Sequence, residues 1–223
     1  MEKKSLRETL ISEVYQNKVI AIVRGVYGQP LAQLAQALYE GGVKMMEITF
    51  DQAHPENHSL TCRGIALLRE QFGEKVRVGA GTVTTVELVR QAADAGAEYM
   101  ISPDFCPEVI RETRELGLVS MPGALTPTEI RQAYDHGADF VKVFPAGCLG
   151  PEYIKAISAP LNHIPLLAVG GVSESNLAAF LACGCKGAGI GGNLVNKAWI
   201  QAEAWDKITA AARTISLAAQ GKA

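Results

Sequence analysis

The sequence lacks the features that mark several classes of protein. It contains no run of about 18 consecutive apolar residues, the length needed for a membrane-spanning helix. Its first residues, Met1 to Leu6, are mostly charged or polar and lack the apolar segment of a secretory signal peptide. Its basic residues form no patch interleaved with aromatic side chains. The sequence therefore predicts a cytoplasmic protein that binds neither membranes nor nucleic acid.

Paired cysteines and a clear metal-binding cluster are lacking too. The five cysteines are an odd number in a chain without a secretion signal, which indicates free thiols used in packing. Cys183 and Cys185 are separated by one residue, not by the two residues of a zinc or redox motif. His54 and His58 have Pro55 between them and no clear third ligand. A solvated loop is therefore favoured there over a metal site, and no metal is predicted.

What the sequence does contain is one repeated unit. Its 223 residues, 48% hydrophobic and 20% charged, suit a single globular domain over 1–223. A helix, a glycine and a short apolar strand recur at intervals of roughly 20–26 residues. The predicted strands lie near residues 19–23, 44–50, 77–82, 99–103, 118–122, 139–145, 165–169 and 186–190. Eight strands, each followed by a helix, predict an α/β protein with a (β/α)8 TIM barrel, preceded by an extra N-terminal helix over 4–17.

Three helix starts are predicted from residues that cap a helix N-terminus. Thr84 with Glu87, and Thr126 with Glu129, have the spacing of a capping box. Ser173 is predicted to cap the helix after the seventh strand. Because helices and strands alternate so uniformly, and no strand resembles a sheet edge, a doubly wound sheet is a less favoured alternative to the barrel.

The sixth predicted strand has a lysine at its centre. Because side chains alternate between the two faces of a strand, Phe140, Lys142 and Phe144 point one way, and Val141 and Val143 point the other. A charged group is costly to bury unless it is paired or takes part in chemistry. The position of Lys142 therefore needs an explanation in terms of a partner or a reaction.

Glu47 is the partner that the pattern offers. It lies in the middle of the second predicted strand and shares a face with Met45 and Thr49. If both faces point inward, Glu47 and Lys142 meet in the mouth of the barrel, where the chemistry of such folds takes place. One interpretation is a buried ion pair that only fixes packing, although such pairs stabilise weakly. The favoured one is a lysine that forms a Schiff base, with a carboxylate that moves protons.

Glycine pairs follow the last two predicted strands. Gly170-Gly171 precedes the predicted Ser173 cap, and Gly191-Gly192 precedes Asn193. In barrels, exposed backbone N–H groups and a helix N-terminus at this place bind phosphate. Tight turns with no ligand are the alternative interpretation.

Taken together, these motifs resemble a known family. The chain resembles the class I aldolases that cleave 2-keto-3-deoxy-6-phosphogluconate, its galactonate epimer and 4-hydroxy-2-oxoglutarate. The resemblance covers about residues 19–195 and rests on segments 46–50, 78–83, 101–103, 121–123, 126–129, 141–146 and 169–172. It implies a lyase that forms pyruvate from a small keto acid, without cofactor or metal, and a homotrimer.

The resemblance also implies roles for individual residues. Lys142 would be the Schiff-base lysine and Glu47 the general acid and base. Thr82 would contact the pyruvyl carboxylate, and Pro103 and Phe144 would line the pocket.

The far end of the substrate would be bound by Arg24 and the glycine turns, at Gly170, Gly171, Gly192 and Asn193. Asp51, Val169 and Gly192 depart from residues common in the family, which leaves open whether the substrate carries phosphate. Two further functions stay open: a phosphosugar isomerase or epimerase that uses Glu47 as a base, and a non-catalytic protein that binds a sugar acid.

Overall fold

A computed structural model describes residues 5–222 as strands and helices in regular alternation. The strands are β1 (Val19–Val23), β2 (Met45–Thr49), β3 (Arg77–Gly81), β4 (Tyr99–Ile101), β5 (Val119–Met121), β6 (Gly123–Ala124), β7 (Val141–Val143), β8 (Leu166–Val169) and β9 (Gly187–Ile190). The helices are α1 (Leu6–Asn17), α2 (Gly28–Glu40), α3 (His58–Phe72), α4 (Val86–Asp94), α5 (Pro107–Glu115), α6 (Pro127–Asp135), α7 (Ala146–Ser158), α8 (Leu177–Ala182), α9 (Lys197–Gln201) and α10 (Trp205–Ala219). Short 3-10 turns cover Pro55–Asn57 and Gly73–Lys75.

All strand pairs are parallel, and they run almost completely round a ring. The order is β5-β4-β3-β2-β1-β9-β8-β7-β6, so that β1 lies between β2 and β9. Only Pro122 separates β5 from β6, and a proline has no N–H to continue the ladder. β5 and β6 are therefore two halves of the fifth predicted strand, and the predicted eight-stranded TIM-like barrel is confirmed.

Apolar side chains from the strands and from α1 fill the interior of the barrel. One apolar cluster contains inward-facing residues of the strands, such as Met45, Tyr99 and Phe140, together with Leu10 and Val14 of α1. A second, larger cluster lies between the strands and the outer helices. The predicted N-terminal helix therefore closes the barrel at the N-terminal ends of the strands, which we call the closed end. The C-terminal ends of the strands form the open end.

Glycines in β3 make room for larger side chains inside the barrel. A methyl group added to Gly79 would lie 2.2 Å from the ring of Tyr99, and one added to Gly81 would lie 2.8 Å from Oε1 of Glu47. Both distances are shorter than real carbon contacts. The glycine-rich sequence of β3 thus lets Tyr99 fill the centre and Glu47 stand above it.

Arg77 is the centre of a buried ion cluster at the closed end. Its guanidinium donates to both carboxylate oxygens of Glu13 in α1, at 2.7 and 2.9 Å, and to Glu98 at 3.0 Å. Glu98 also pairs with Arg69 at 2.8 Å and accepts from the N–H of Val78 at 3.1 Å. Each buried charge in this cluster therefore has a partner of opposite sign.

Asp139 forms a second cluster with the same property. It lies just before β7 and pairs with Arg7 of α1 and, at 3.0 Å, with Arg114. Its second oxygen accepts from the N–H of Ser120 at 2.9 Å. The two clusters fasten α1 to the barrel.

The predicted cap at Thr126 is correct, whereas the predicted cap at Thr84 lies one residue too early. Thr126 and Glu129 form the predicted capping box at α6. The prediction of Thr84 as a cap was wrong, because the next residue, Thr85, has the extended backbone and accepts from the N–H of Leu88.

The predicted cap at Ser173 was also wrong. Its N–H donates to the side chain of Asn176, which forms a separate turn, and α8 begins only after Asn176 and is six residues long. No helix N-terminus therefore follows Gly171 directly, and the phosphate-binding argument has to rest on the glycine turn itself.

Three further findings concern the cysteines, membrane-spanning helices and metal sites. All five cysteines are free thiols, as predicted, but Cys148 is exposed, so the prediction that every cysteine is used in packing was wrong. Within residues 5–222, no helix has both the length and the apolar character needed to cross a membrane. In the same residues, no group of three or more histidine, cysteine or acidic side chains is placed to hold a metal ion.

Candidate active site

A cavity of about 330 Å³ opens at the C-terminal ends of the strands. It brings together all ten residues that were predicted for the site, contributed by most of the strands around the ring. They are Arg24, Glu47, Thr82, Pro103, Lys142, Phe144, Gly170, Gly171, Gly192 and Asn193. Their common location agrees with the prediction, whereas the role of each residue stays a prediction.

Lys142 points into this cavity from β7. Its side chain is buried, with 7% of the residue exposed, and its Nζ lies 4.9 Å from the centre of the Phe144 ring. Burial lowers the pKa of Lys142 below the usual lysine value, and the positive charge of Arg24 adds to the effect, while Glu47 and Asp104 oppose it. The neutral amine, which is the nucleophilic form, is therefore more accessible than it is for an exposed lysine.

Glu47 faces the same cavity from β2 and is 3% exposed. Burial raises the pKa of the Glu47 carboxyl, against the opposing effects of Lys142 and Arg24. Glu47 and Lys142 interact through space, without a hydrogen bond to each other. Burial thus moves the pKa values of the Glu47 carboxyl and the Lys142 amine towards each other, and both groups line a cavity large enough for a small molecule.

Arg24 and Thr82 form a polar edge beside this pair. Nη2 of Arg24 lies 3.4 Å from the hydroxyl of Thr82, and both residues line the cavity. Thr82 has a φ of +58°, which is unusual for a residue branched at Cβ. A cation and a hydroxyl donor together can bind a carboxylate.

The glycine turn after β8 packs against the start of α7. The N–H of Gly147 donates to the carbonyl of Gly170 at 2.7 Å, and a methyl group on Gly171 would lie 3.0 Å from Cα of Gly147. The N–H and C=O of a peptide unit point in opposite directions. The N–H of Gly171 is therefore turned away from Gly147, and no protein acceptor binds it among the described residues.

The turn after β9 completes this side of the cavity. The amide of Asn193 donates to the carbonyl of Val172 at 3.1 Å, which ties the two glycine turns together. Ile22, Gly189 and Gly191 also line the cavity but were not predicted as site residues. Their inward positions in or just after β1 and β9 were the available signal.

Asp51 has a different orientation from the residues that line the cavity. Its carboxylate accepts from the N–H of Ala53 at 3.0 Å, and its carbonyl oxygen lies 3.0 Å from Nε2 of His58. His54 contacts Glu56 at 3.1 Å. Asp51 thus organises its own loop, and the two histidines have separate partners.

Comparison with known proteins agrees with this geometry. The family model described as KDPG and KHG aldolase matches residues 10–211. The 2-dehydro-3-deoxy-6-phosphogalactonate aldolase of Escherichia coli (strain K12) is 36% identical over 177 residues, which are 79% of this chain and 83% of that protein. The 2-dehydro-3-deoxy-phosphogluconate aldolase of Treponema pallidum (strain Nichols) is 34% identical over 175 residues, 78% of this chain and 80% of that protein.

Solved structures give the same result. One described as native KDPGal has a TM-score of 0.82 and 32% sequence identity, and the match covers 92% of this chain and 95% of the other. The chain therefore belongs to the KDPG and KHG aldolase family.

Proposed function

We propose that this protein is a class I aldolase that cleaves a 2-keto-3-deoxy sugar acid to pyruvate and an aldehyde. The observation that carries the proposal is Lys142, a buried amine with a lowered pKa in the same cavity as Glu47. The names of the related aldolases support a substrate with a 6-phosphate, of the 2-keto-3-deoxy-6-phosphogluconate type. The alternative substrate is 4-hydroxy-2-oxoglutarate.

In the first step, the neutral amine of Lys142 attacks the C2 carbonyl of the keto acid and forms a carbinolamine. The protonated Glu47 gives its proton to the departing hydroxyl, water leaves, and a protonated Schiff base remains. This step needs a neutral amine and a protonated carboxyl in the same cavity. The lowered pKa of Lys142 and the raised pKa of Glu47 favour these two forms.

Glu47 ends the first step as a carboxylate and can then act as a base. It takes the proton of the C4 hydroxyl, the C3–C4 bond breaks, and its electron pair moves into the Schiff base to give an enamine and an aldehyde. Glu47 returns the proton to C3, water hydrolyses the resulting protonated Schiff base, and Glu47 takes up the proton that the hydrolysis releases. Pyruvate is released and the amine of Lys142 is restored.

The two ends of the substrate would be bound at opposite sides of the cavity. Thr82 would bind the carboxylate next to C2. Arg24, which the resemblance assigns to the far end, would instead serve this edge, because its Nη2 lies 3.4 Å from the Thr82 hydroxyl. The free N–H of Gly171 and the neighbouring turn at Gly192 and Asn193 would bind the far end, because unpaired backbone N–H groups attract anions. Pro103 and Phe144 form the apolar part of the wall.

The decisive experiment is reduction with borohydride in the presence of pyruvate. Hydride would convert the Schiff base to a stable secondary amine, and peptide mapping should find one reduced pyruvyl group on Lys142 and on no other lysine. A sample without pyruvate is the control. A wild-type protein that gives no adduct would contradict the proposal. Activity that survives this treatment would favour an isomerase or epimerase that uses Glu47 as a base.

The substrate can then be identified with a panel of 2-keto-3-deoxy acids. Each acid would be tested with and without a 6-phosphate, in both epimeric forms, together with 4-hydroxy-2-oxoglutarate, and pyruvate release would be measured. We expect the 6-phosphorylated acids to give the highest kcat/KM. Tight binding of a sugar acid without any turnover would instead indicate a non-catalytic binding protein.

We also propose that the protein is a homotrimer, as the resemblance to its family implies. Phe144 and Leu149, 39% and 41% exposed, are among the few large apolar side chains at the surface, and both follow the C-terminal end of β7. Sedimentation equilibrium should give three times the chain mass of 23.8 kDa. A mass equal to that of one chain would contradict this assignment.

A further inference from the structure

Thr82 is held in a conformation that its own chemistry disfavours. Its φ of +58° lies in the left-handed region, where a side chain branched at Cβ is crowded by the backbone. Glycine would adopt this conformation without strain, but it has no hydroxyl. Such strain persists only where the surroundings enforce it, and it is concentrated at functional sites.

The peptide groups on both sides of Thr82 are anchored by the barrel. The carbonyl of Gly81 accepts from the N–H of Phe50 at 2.9 Å, and the N–H of Val83 donates to Ile101 at 3.1 Å. The carbonyl of Val83 accepts from the buried hydroxyl of Ser102 at 2.6 Å. These bonds fix where the chain enters and leaves Thr82, but none of them involves the carbonyl of Thr82 itself.

That carbonyl is bound by a side chain from the loop after β2. Nε2 of Gln52 donates to it at 3.0 Å, and no other donor reaches it within residues 5–222. Gln52 is exposed and does not line the cavity, whereas the side chain of Thr82 does. Gln52 is therefore placed to act on the substrate only through Thr82.

We infer that Gln52 is a positioning residue that keeps Thr82 in the left-handed conformation, with its hydroxyl beside Arg24 and turned to the keto-acid carboxylate. The inference rests on the proposed aldolase function. Without the bond from Gln52, Thr82 can relax towards negative φ and carry its hydroxyl away from Arg24. Binding of the carboxylate should then weaken, while Lys142 and Glu47 keep their places on β7 and β2.

The first test is Gln52→Met, which keeps the length of the side chain and removes the donor. We expect the pyruvate concentration that half-saturates borohydride trapping to rise about 5- to 10-fold, as for the loss of one ordinary hydrogen bond. The maximal trapping rate should stay within about two-fold. Gln52→Glu, which lacks the donor and adds a negative charge, should raise the half-saturating concentration at least as much. The matched control is Gln36→Met, since Gln36 is an exposed residue on α2 that bonds to Glu40.

A double-mutant cycle with Thr82→Gly separates positioning from a general structural effect. Thr82→Gly should raise the half-saturating pyruvate concentration and still fold, because glycine accepts this conformation. In that background Gln52→Met should add less than about two-fold, since no hydroxyl remains to be positioned. Equal effects of Gln52→Met in both backgrounds, or no effect in the wild-type background, would overturn the inference.

Failure of this inference can be distinguished from failure of the proposed function. If wild-type protein forms the pyruvate adduct and both Gln52 variants saturate like wild type, only the role of Gln52 is wrong. If wild-type protein forms no adduct, the proposed function itself is wrong and the inference is overturned with it.

Discussion

The closed and open ends of the barrel both bury charged side chains, and they surround them differently. At the closed end, Arg77 has two carboxylates within 3.0 Å, and Asp139 has two guanidinium groups and a backbone N–H. At the open end, Lys142 lies 4.9 Å from the centre of an aromatic ring. Glu47, Asp104 and Arg24 act on it through space, without a direct ion pair. Only two residues separate Asp139 from Lys142 along the chain.

The pKa values of the buried groups reflect this difference in pairing. At the closed end, the pKa of Arg77 is raised, first by its hydrogen bond to Glu13, which secures its charge. Burial raises the pKa of Glu98 there too, against its bonds to Val78, Arg69 and Arg77. At the open end, burial lowers the pKa of Lys142 and raises that of Glu47, so both groups are drawn towards their neutral forms. A fully paired charge is held in its ionised form, whereas an incompletely paired one is available for proton transfer and nucleophilic attack.

The sharpest way to test the comparison is to remove a charge from the open end. Lys142→Met should lower pyruvate release at least about 1,000-fold and abolish the borohydride adduct, because the nucleophile is lost. The thermal unfolding midpoint and the circular dichroism spectrum should change little, since a buried amine is replaced by an apolar side chain of similar length. Unfolding of this variant would show that Lys142 has a structural role like that of Arg77.

The corresponding change at the closed end should affect stability and leave chemistry intact. Arg77→Met leaves Glu13 without its cation and Glu98 with Arg69 alone, and it should lower the free energy of unfolding by about 3 kcal/mol in urea titrations. Activity per folded molecule should stay near the wild-type value. Arg90→Met is the control, because Arg90 pairs with Glu112 at the surface and its removal should hardly change stability.

A third variant separates the two partners of the open end. Glu47→Gln should slow cleavage about 100-fold, because an amide cannot donate or take the proton. The adduct with pyruvate should still form at Lys142, but more slowly, because the carbinolamine hydroxyl then leaves without a proton from Glu47. Single-turnover measurements of adduct formation and of aldehyde release would resolve the two steps. Wild-type cleavage by this variant would assign proton transfer to another group.

The smallest expected effect concerns pH. Trapping by pyruvate and borohydride should increase with pH, with a midpoint below the usual lysine pKa, because only the neutral amine attacks. The carboxylate of Glu47 favours the ammonium form and Arg24 disfavours it. The midpoint should therefore move to lower pH in Glu47→Gln and to higher pH in Arg24→Met. Shifts in the opposite directions would contradict the electrostatic account of the site.

Much of the site could be predicted because it depends on short-range patterns. Alternation along two strands placed Lys142 and Glu47 on inward faces. The other cavity residues were predicted because they lie at the C-terminal ends of the strands. The contacts of Asp51 could not be predicted, since its carboxylate turns to Ala53 instead of the cavity. The start of α8 was missed because Ser173 forms a separate turn with Asn176, and a cap and a turn use the same kinds of residue.

The sequence by itself determined the barrel, its repeated units and the two ionisable residues at its open end. These follow from periodicity and residue type, which act over a few positions. Tertiary structure decided which charges are paired and which are not. Arg77 meets Glu13 across 64 positions, and Gln52 meets the carbonyl of Thr82 across 30. Such contacts depend on where folding brings distant segments together, and this is what makes the two ends of one barrel chemically different.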